Sequence, residues 1–233
     1  MRSARLLMLG VIAAQSFAAP ALTGFPFTDE VLRYSLNMPG GPKVGEGRIV
    51  AKKADGGWNF ELGLDAPVPL FEVHDLYSAK ANQDFCSAEF TKKFHHGQRK
   101  GSEKSELDRS HGTVTRTTTT IPGGGKSTFS IPECTKDALT LLMYTRREMG
   151  QGRVPKSQRI LFGGMYDAQL VYTGAENVQS GGKTEVADKV VCTLKGPKSN
   201  VQIEILFARD AARTPLVMKL PLAVGSFSLE LVR

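Results

Sequence analysis

Residues 201–207 read VQIEILF, and this stretch decides the fold class because apolar and polar side chains alternate along it. Val201, Ile203 and Ile205 share one face of an extended chain, whereas Gln202 and Glu204 share the other. A period of two predicts a β-strand with one face buried and one face in water. Strands of this kind belong to antiparallel sheets.

Comparable runs recur along most of the chain, and Gly or Pro residues separate many of them. The predicted strands are 31–36, 44–53, 58–64, 85–94, 113–121, 166–172, 186–194, 201–207, 216–222 and 227–232. About ten strands of this kind predict a mainly β protein, built as a curved antiparallel sheet or an open β-barrel.

One segment departs from the alternation. Residues 135–149 contain no Gly or Pro, with Thr135 as the expected N-cap and Asp137 in the first turn. Leu139 and Met143 fall on one face of a helix, which predicts an amphipathic helix of three to four turns. We expect this helix to pack on the concave side or the mouth of the sheet, because a lone helix among strands covers a sheet face.

The N-terminus carries the features of a secretory signal peptide. Arg2 and Arg5 precede an apolar run over residues 6–14, and small residues at 16 and 18 flank a cleavage site. The run is much shorter than the roughly 20 residues that span a bilayer. We therefore predict a signal peptide over residues 1–18, a single β-rich domain over residues 19–233, no transmembrane anchor after cleavage, and a periplasmic or secreted location.

The charge pattern argues against a nucleic-acid-binding protein. The chain has a formal net charge of +7, which falls to +5 when the two leader arginines are removed. Basic residues between 92 and 106 are interspersed with acids, as on a solvated strand face, and do not cluster beside exposed aromatics. Anionic lipid headgroups and acidic glycans remain open as partners.

Three cysteines, Cys86, Cys134 and Cys192, follow the leader. Cys192 alternates in register with Val190 and Leu194, which predicts a small core residue on an apolar strand face. Cys86 and Cys134 lie at the ends of predicted elements, and export places them in an oxidising compartment. We therefore predict a Cys86–Cys134 disulfide, with three reduced thiols as the alternative.

No catalytic or cofactor motif survives inspection. Residues 122–128 resemble a phosphate-binding loop, but Thr120 stands where the first glycine belongs, so a hairpin turn is favoured. Adjacent His95 and His96 point to opposite faces of a strand, so we expect no metal site. A nucleophile elbow is also missing from the sequence. We expect no cofactor, and an enzymatic activity is unsupported although not excluded.

Four charged residues stand out as candidate binding residues. Arg146 and Arg147 lie near the end of the predicted helix, and Asp210 and Arg213 lie in the connection between two C-terminal strands. Asp210 is placed to pair with Arg213 across the turn or with an arginine of the helix. The alternative interpretation is an ion pair that only orients the connection.

Several short blocks resemble a bacterial family of exported proteins, domain-of-unknown-function family 3108. The segment 134–147 resembles its "D-x-L-s-x-x-y-x-x-R" block, and residues 207–220 and 225–231 resemble its C-terminal blocks. Tyr34 in the first strand and Gly45-Glu46-Gly47 after it resemble its N-terminal block. The resemblance runs from about residue 30 to the C-terminus. It implies an exported, β-rich protein and brings no established catalytic residues.

A curled sheet can enclose an apolar cavity, so the first functional hypothesis is a non-enzymatic binding module for a lipid or another hydrophobic envelope ligand. Weak candidates for lining residues are Phe71, Met143, Leu170, Phe207 and Met218, for which plain core packing is the alternative. The second hypothesis is a structural or interaction protein of the envelope that docks a protein partner through strand edges or the basic segment 92–104. A hydrolase of envelope polymers is the third.

Overall fold

In the part of the chain that the structure describes, fifteen strands form one continuous sheet. The computed structural model describes residues 29–38, 41–68, 71–120, 123–197, 199–222 and 225–233, and the predicted signal peptide lies outside the described residues. The strands are β1 Glu30–Asn37, β2 Lys43–Ala54, β3 Gly57–Val68, β4 Phe71–Asn82, β5 Ser87–His96, β6 Arg99–Asp108, β7 Thr113–Thr120, β8 Gly125–Ser130, β9 Lys136–Asp137, β10 Gln158–Leu161, β11 Met165–Ser180, β12 Lys183–Lys195, β13 Asn200–Ala208, β14 Pro215–Leu222 and β15 Gly225–Leu231.

Across the sheet, the strands from β8 to β1 lie side by side in reverse chain order. β15 lies next to β1, and the strands from β14 to β9 follow it in reverse chain order. Chain neighbours pair antiparallel, and β1 pairs with β15, with Tyr34 opposite Leu231. The short β9 is the exception, since it pairs parallel with β10. The prediction of a mainly β, curved antiparallel sheet is confirmed, and the sheet stays open because β8 and β9 stand at the two ends of the strand order.

The predicted number of strands was wrong, because the sheet has fifteen instead of about ten. The alternation missed β4, β6, β8, β9 and β10. β6 shows why: its inward positions include Glu103 and Ser105, so only Leu107 marks the buried face by hydrophobicity. A strand whose buried face is polar carries no apolar period of two, and β9 and β10 are too short to show one.

The predicted helix is present as α1, Ala138–Gly150, and it packs against the sheet. Its N-cap is Asp137, so the prediction of Thr135 as N-cap was wrong. The Asp137 carboxylate accepts hydrogen bonds from the backbone N–H groups of Leu139 and Thr140, both at 2.9 Å. The Thr135 hydroxyl instead donates to the carbonyl of Pro132, because β9 intervenes before the helix starts.

The sheet wraps around α1, so residues far apart in the strand order meet. Phe162, which follows β10, stacks on Tyr77 of β4 with ring centroids 6.1 Å apart. The backbone N–H of Ser87, at the start of β5, donates to the carbonyl of Thr135 at 2.9 Å. A bulge between Tyr172 and Gly174, where Gly174 has φ +122°, adds local curvature. The β9 end of the sheet thus touches β4 and β5 without forming a continuous ladder with them.

The core lies between the concave face of the sheet and α1. Side chains such as Phe60, Phe90 and Phe207 are at most 2% exposed there. Four of the weak lining candidates from the sequence belong to this packed core, namely Met143, Leu170, Phe207 and Met218. The side chain of Phe71 lies outside the described structure. Those candidates are therefore plain core residues, as their alternative interpretation stated.

Candidate functional site

The predicted disulfide is present at the seam of the wrapped sheet, which is the place where the start of β5 meets β9. Cys86 and Cys134 are bonded, with Cα atoms 4.8 Å apart and 48 positions between them in sequence. Cys86 is buried just before β5, whereas Cys134 is exposed just before β9. Cys192 is a free, buried thiol whose pKa is raised to about 11 by desolvation, as expected for a core residue.

Beside this seam, the Asp137 carboxylate is completely buried and fully occupied. In addition to the two helix N–H groups, it accepts hydrogen bonds from the hydroxyls of Ser87 and Thr140, each at 2.6 Å. Ser87 also accepts a bond from the Asp137 backbone N–H at 2.8 Å. Burial raises the pKa of Asp137 against the opposing effect of these donors. The arrangement ties β5 to the start of α1 and leaves the carboxylate no free acceptor for a ligand.

Arg146, one of the candidate binding residues, lies at the centre of the core with no exposed surface. Its guanidinium forms a two-pronged ion pair with Glu30 at 2.8 and 3.0 Å, and its Nε donates to the carbonyl of Ala212 at 3.0 Å. Nearby, the Tyr34 hydroxyl donates to the carbonyl of Pro215 at 2.9 Å, and burial raises the pKa of Tyr34. Arg146 therefore holds β1, α1 and the 209–214 connection together.

The other candidates are separate from Arg146. The Asp210 carboxylate accepts from the backbone and hydroxyl of Thr214 at 2.9 and 2.7 Å, which closes the turn before β14. Arg213 pairs with Asp188 of β12 at 2.8 Å, so the expected Asp210–Arg213 and Asp210–helix ion pairs are not formed. Arg209 contacts the same Asp188 carboxylate, also at 2.8 Å.

Arg147 points to a different place again. Its guanidinium lies over the rings of Phe85 and Tyr144, at 4.9 and 4.6 Å from their centroids, and contacts Glu148 at 3.2 Å. The three arginines among the candidate binding residues thus form separate ion pairs or ring contacts, and Asp210 stabilises a turn. The structure does not gather them into one site, and each contact described orients an element of the fold.

The concave face of the sheet has a second half that α1 leaves uncovered. The helix lies over the start of β3, through Phe85 and the stacked Trp58 and Phe60, and over the β13–β14 connection, through Ala212. Six apolar inward residues farther along the sheet are only half-buried, although Ala66, at the far end of β3, is buried. We call this set the open half of the inner face: Leu62, Leu64, Val73, Val201, Ile203 and Leu220.

The open half has two walls. Leu62, Leu64 and Val73 belong to β3 and β4, whereas Val201 and Ile203 belong to β13, at the other side of the wrap. The register puts all of these residues on the inner face of the sheet, so both walls face the inside of the wrap. Half-buried apolar groups on a concave surface form a place where an apolar molecule displaces water.

Polar side chains border the open half on β4, β5 and β6. Asp75 contacts Nε2 of His96 at 2.7 Å and accepts from the Tyr77 hydroxyl at 3.1 Å, while Glu103 accepts from Arg116 at 2.6 Å. The Asp75 charge and burial both raise the pKa of Tyr77, burial having the larger effect. Sequence inspection missed this group, since β4 and β6 were not identified and only their register brings the residues together.

The histidines do not form a metal site in the described structure. His74 and His95 lie opposite each other on β4 and β5, and His74 contacts Asp65 at 2.7 Å on the exposed surface. Among the residues described, no group of three or more His, Cys, Asp or Glu side chains is arranged to hold a metal ion. Over the same residues, no helix is both long and apolar enough to cross a membrane.

Comparison with known proteins gives one match. A family model described as "Protein of unknown function (DUF3108)" matches residues 33–232, which contain α1 and nearly all of the sheet. No curated protein and no solved structure matches the chain. The matched range includes the blocks that carry the resemblance, 134–147, 207–220 and 225–231, together with Tyr34 and residues 45–47. The chain therefore belongs to the DUF3108 family of proteins of unknown function.

Proposed function

We propose that the protein is an exported, non-enzymatic binding module that holds an apolar molecule of the cell envelope, such as a lipid chain, in the open half of the inner face. The observation that carries this proposal is the row of half-buried Leu, Ile and Val side chains on two facing walls. Apolar side chains that point inward are ordinarily covered by the protein itself. A concave apolar surface without such a cover is a typical ligand site.

Two further observations support the export part of the proposal. The Cys86–Cys134 bond persists most readily outside the reducing cytosol, and the first eighteen residues have the composition of a secretory leader. An exported protein with half-buried apolar side chains on the inner face of a curved sheet meets lipids as the commonest apolar molecules of its compartment.

The experiment compares what the protein carries with what it can bind. Protein is purified from a bacterial periplasm without detergent and weighed by native mass spectrometry before and after organic extraction. We expect an extractable apolar adduct in stoichiometric amount. The extracted protein is then titrated with N-phenyl-1-naphthylamine, an uncharged apolar fluorophore. A clean apo mass together with no fluorophore binding would overturn the proposal.

A matched pair of variants on β4 locates the binding. Val73→Asn changes an inward residue of the open half, while Leu76→Asn changes an exposed residue on the opposite face of the same strand. We expect Val73→Asn to weaken fluorophore binding about fivefold, since it removes apolar surface worth ~1 kcal/mol from the site. Leu76→Asn should bind like the parent protein. Equal affinities for all three proteins would place the fluorophore elsewhere.

A second candidate function is docking of a protein partner along β8. This strand ends the sheet order and, within the described residues, pairs only with β7, so its other edge offers backbone donors and acceptors to an added strand. A photo-crosslinking residue at Ser127, introduced in the periplasmic protein, tests this. A discrete crosslinked product at Ser127 and none at Glu46, an exposed residue in the middle of the sheet, would favour it.

A further inference from the structure

We propose that Lys92 is the headgroup site of the open half, and that the ligand is an amphiphile with an apolar chain and a singly charged anionic headgroup, such as a long-chain carboxylate or a phosphodiester lipid. This inference rests on the proposed function, because it names the chemical class of the molecule bound there.

The register of the sheet places Lys92 in line with the open half. Leu62 of β3 lies opposite Tyr77 of β4, Tyr77 lies opposite Lys92 of β5, and Lys92 lies opposite Glu103 of β6. Directly opposite residues share one face of a sheet, so the ammonium group stands on the concave side two strands from Leu62. When the apolar chain of a ligand lies on Leu62 and Leu64, the end group of that ligand reaches Lys92.

The ammonium group of Lys92 is enclosed by aromatic rings. Its Nζ is 5.5 Å from the centroids of Tyr77 and Phe94 and 5.4 Å from that of Phe162, and the side chain is half-buried. Within the described residues no carboxylate lies within 4 Å of this nitrogen, although the basic side chains around the sheet commonly have one. Ring faces hold a cation in place but do not neutralise it.

The acids nearest Lys92 contact other side chains. Glu103 stands directly opposite Lys92; its Oε2 accepts from Arg116 at 2.6 Å, while its Oε1 is buried without a hydrogen-bond partner among the described residues. Asp75 contacts both His96 and Tyr77. Two basic groups, Lys92 and Arg116, lie here beside two buried acids, Glu103 and Asp75. These acids repel a headgroup with one negative charge less than a doubly charged headgroup. The arrangement therefore favours a carboxylate or a phosphodiester over a phosphate monoester.

The test compares two fluorescent ligands that share one hydrocarbon chain but differ in the charge of the end group. Extracted mature protein is titrated with cis-parinaric acid and with its uncharged methyl ester, which fluoresce alike. Because a charge-assisted bond to a partly desolvated ammonium forms only with the acid, we expect the acid to bind about tenfold more tightly. This comparison needs no variant, so it does not depend on how a substitution affects folding.

Two variants assign the effect to one side chain. Lys92→Gln should remove the preference for the acid and leave ester binding unchanged. Lys93→Gln is the matched control, because Lys93 is the next residue of β5, exposed on the other face, and it should behave like the parent protein. Circular dichroism checks that the variants are folded. Displacement by lysophosphatidylglycerol or by oleate then distinguishes a phosphodiester ligand from a carboxylate.

Each outcome has one meaning. Equal binding of acid and ester to the parent protein, or a preference for the acid that survives in Lys92→Gln, would overturn the Lys92 inference while leaving the open half as an apolar site. Failure of both acid and ester to bind would overturn the proposed function itself. A preference for the acid in the parent and in Lys93→Gln, lost in Lys92→Gln, supports both.

Discussion

The two halves of the inner face are built from the same strands but differ in what covers them. In the half that α1 covers, Phe207 and the helix residue Arg146 are fully buried, and the charge of Arg146 is paired with Glu30 within the fold. Beyond the helix, Leu64 and Ile203 remain half-buried. The difference indicates a division of tasks. We expect changes in the covered half to cost stability, and changes in the open half to cost binding.

The largest effect should come from the disulfide at the edge of the covered half. The double variant Cys86→Ala/Cys134→Ala opens a loop of 48 positions, and the chain-entropy model gives a loss of about 4 kcal/mol in the free energy of unfolding. Urea denaturation under non-reducing conditions measures it. Cys192→Ala is the control, with a loss of about 1 kcal/mol for one buried sulfur. Equal losses would show that the bridge contributes only as buried volume.

The next effect concerns the buried ion pair. Arg146→Met leaves Glu30 without its partner inside the fold, which should cost about 3 kcal/mol. Arg147→Met, the adjacent change, removes ring contacts and a partly buried ion pair, but Glu148 keeps Arg153 as a partner, so the change should cost only about 1 kcal/mol. Urea unfolding of both variants gives the comparison. A loss as small as that of Arg147→Met would show that Arg146 is not a centre of the covered half.

In the open half the expected effect on stability is smaller. Leu64→Ser removes a half-buried side chain with little packing above it, so we expect a loss of about 1 kcal/mol in the free energy of unfolding. Binding of N-phenyl-1-naphthylamine should fall in the same variant. Thermal or urea unfolding and the titration are measured on one sample. A loss as large as that of Arg146→Met, with binding unchanged, would contradict the division of tasks.

The smallest effect lies on the outer surface of the same strands. Asp65 bonds His74 at 2.7 Å and, with Glu72 nearby, raises the pKa of His74 above its ordinary value. Asp65→Asn should lower this pKa, which an NMR titration of the imidazole proton follows. Because the folded-state pKa is the higher one, the pair favours the folded state at low pH, and this contribution disappears as pH rises through it. Its exposure keeps the effect on stability small, so a large change in unfolding would be unexpected.

Much of the covered half was predictable because its signals are local or covalent. The alternation in residues 201–207 predicted β13, and the absence of Gly and Pro from residues 135–149 predicted α1. The Cys86–Cys134 pairing followed from the position of Cys192 within an apolar strand. In each case the physical cause, a buried face or an oxidised pair, leaves a mark in the nearby sequence.

The contacts of the charged residues were not predictable in the same way. Arg146 pairs with Glu30, which is 116 positions away, and Arg213 pairs with Asp188 on another strand. The short spacing of Asp210 and Arg213 suggested a pair, but the Asp210 carboxylate serves Thr214 instead. Lys92 was read as part of a solvated face, because its aromatic neighbours come from β4, β5 and the residue after β10. Such contacts depend on register and on the wrap of the sheet.

The Cys86–Cys134 bond also makes β5 to β8 a covalent ring within the chain. All four strands, and the turns between them, lie between the two bonded cysteines. If a protease cuts a turn inside this ring, the two fragments stay joined by the disulfide and by the pairing of their strands. The oxidised protein therefore stays one molecule after a single cut between β5 and β8. The two fragments separate only after the disulfide is reduced.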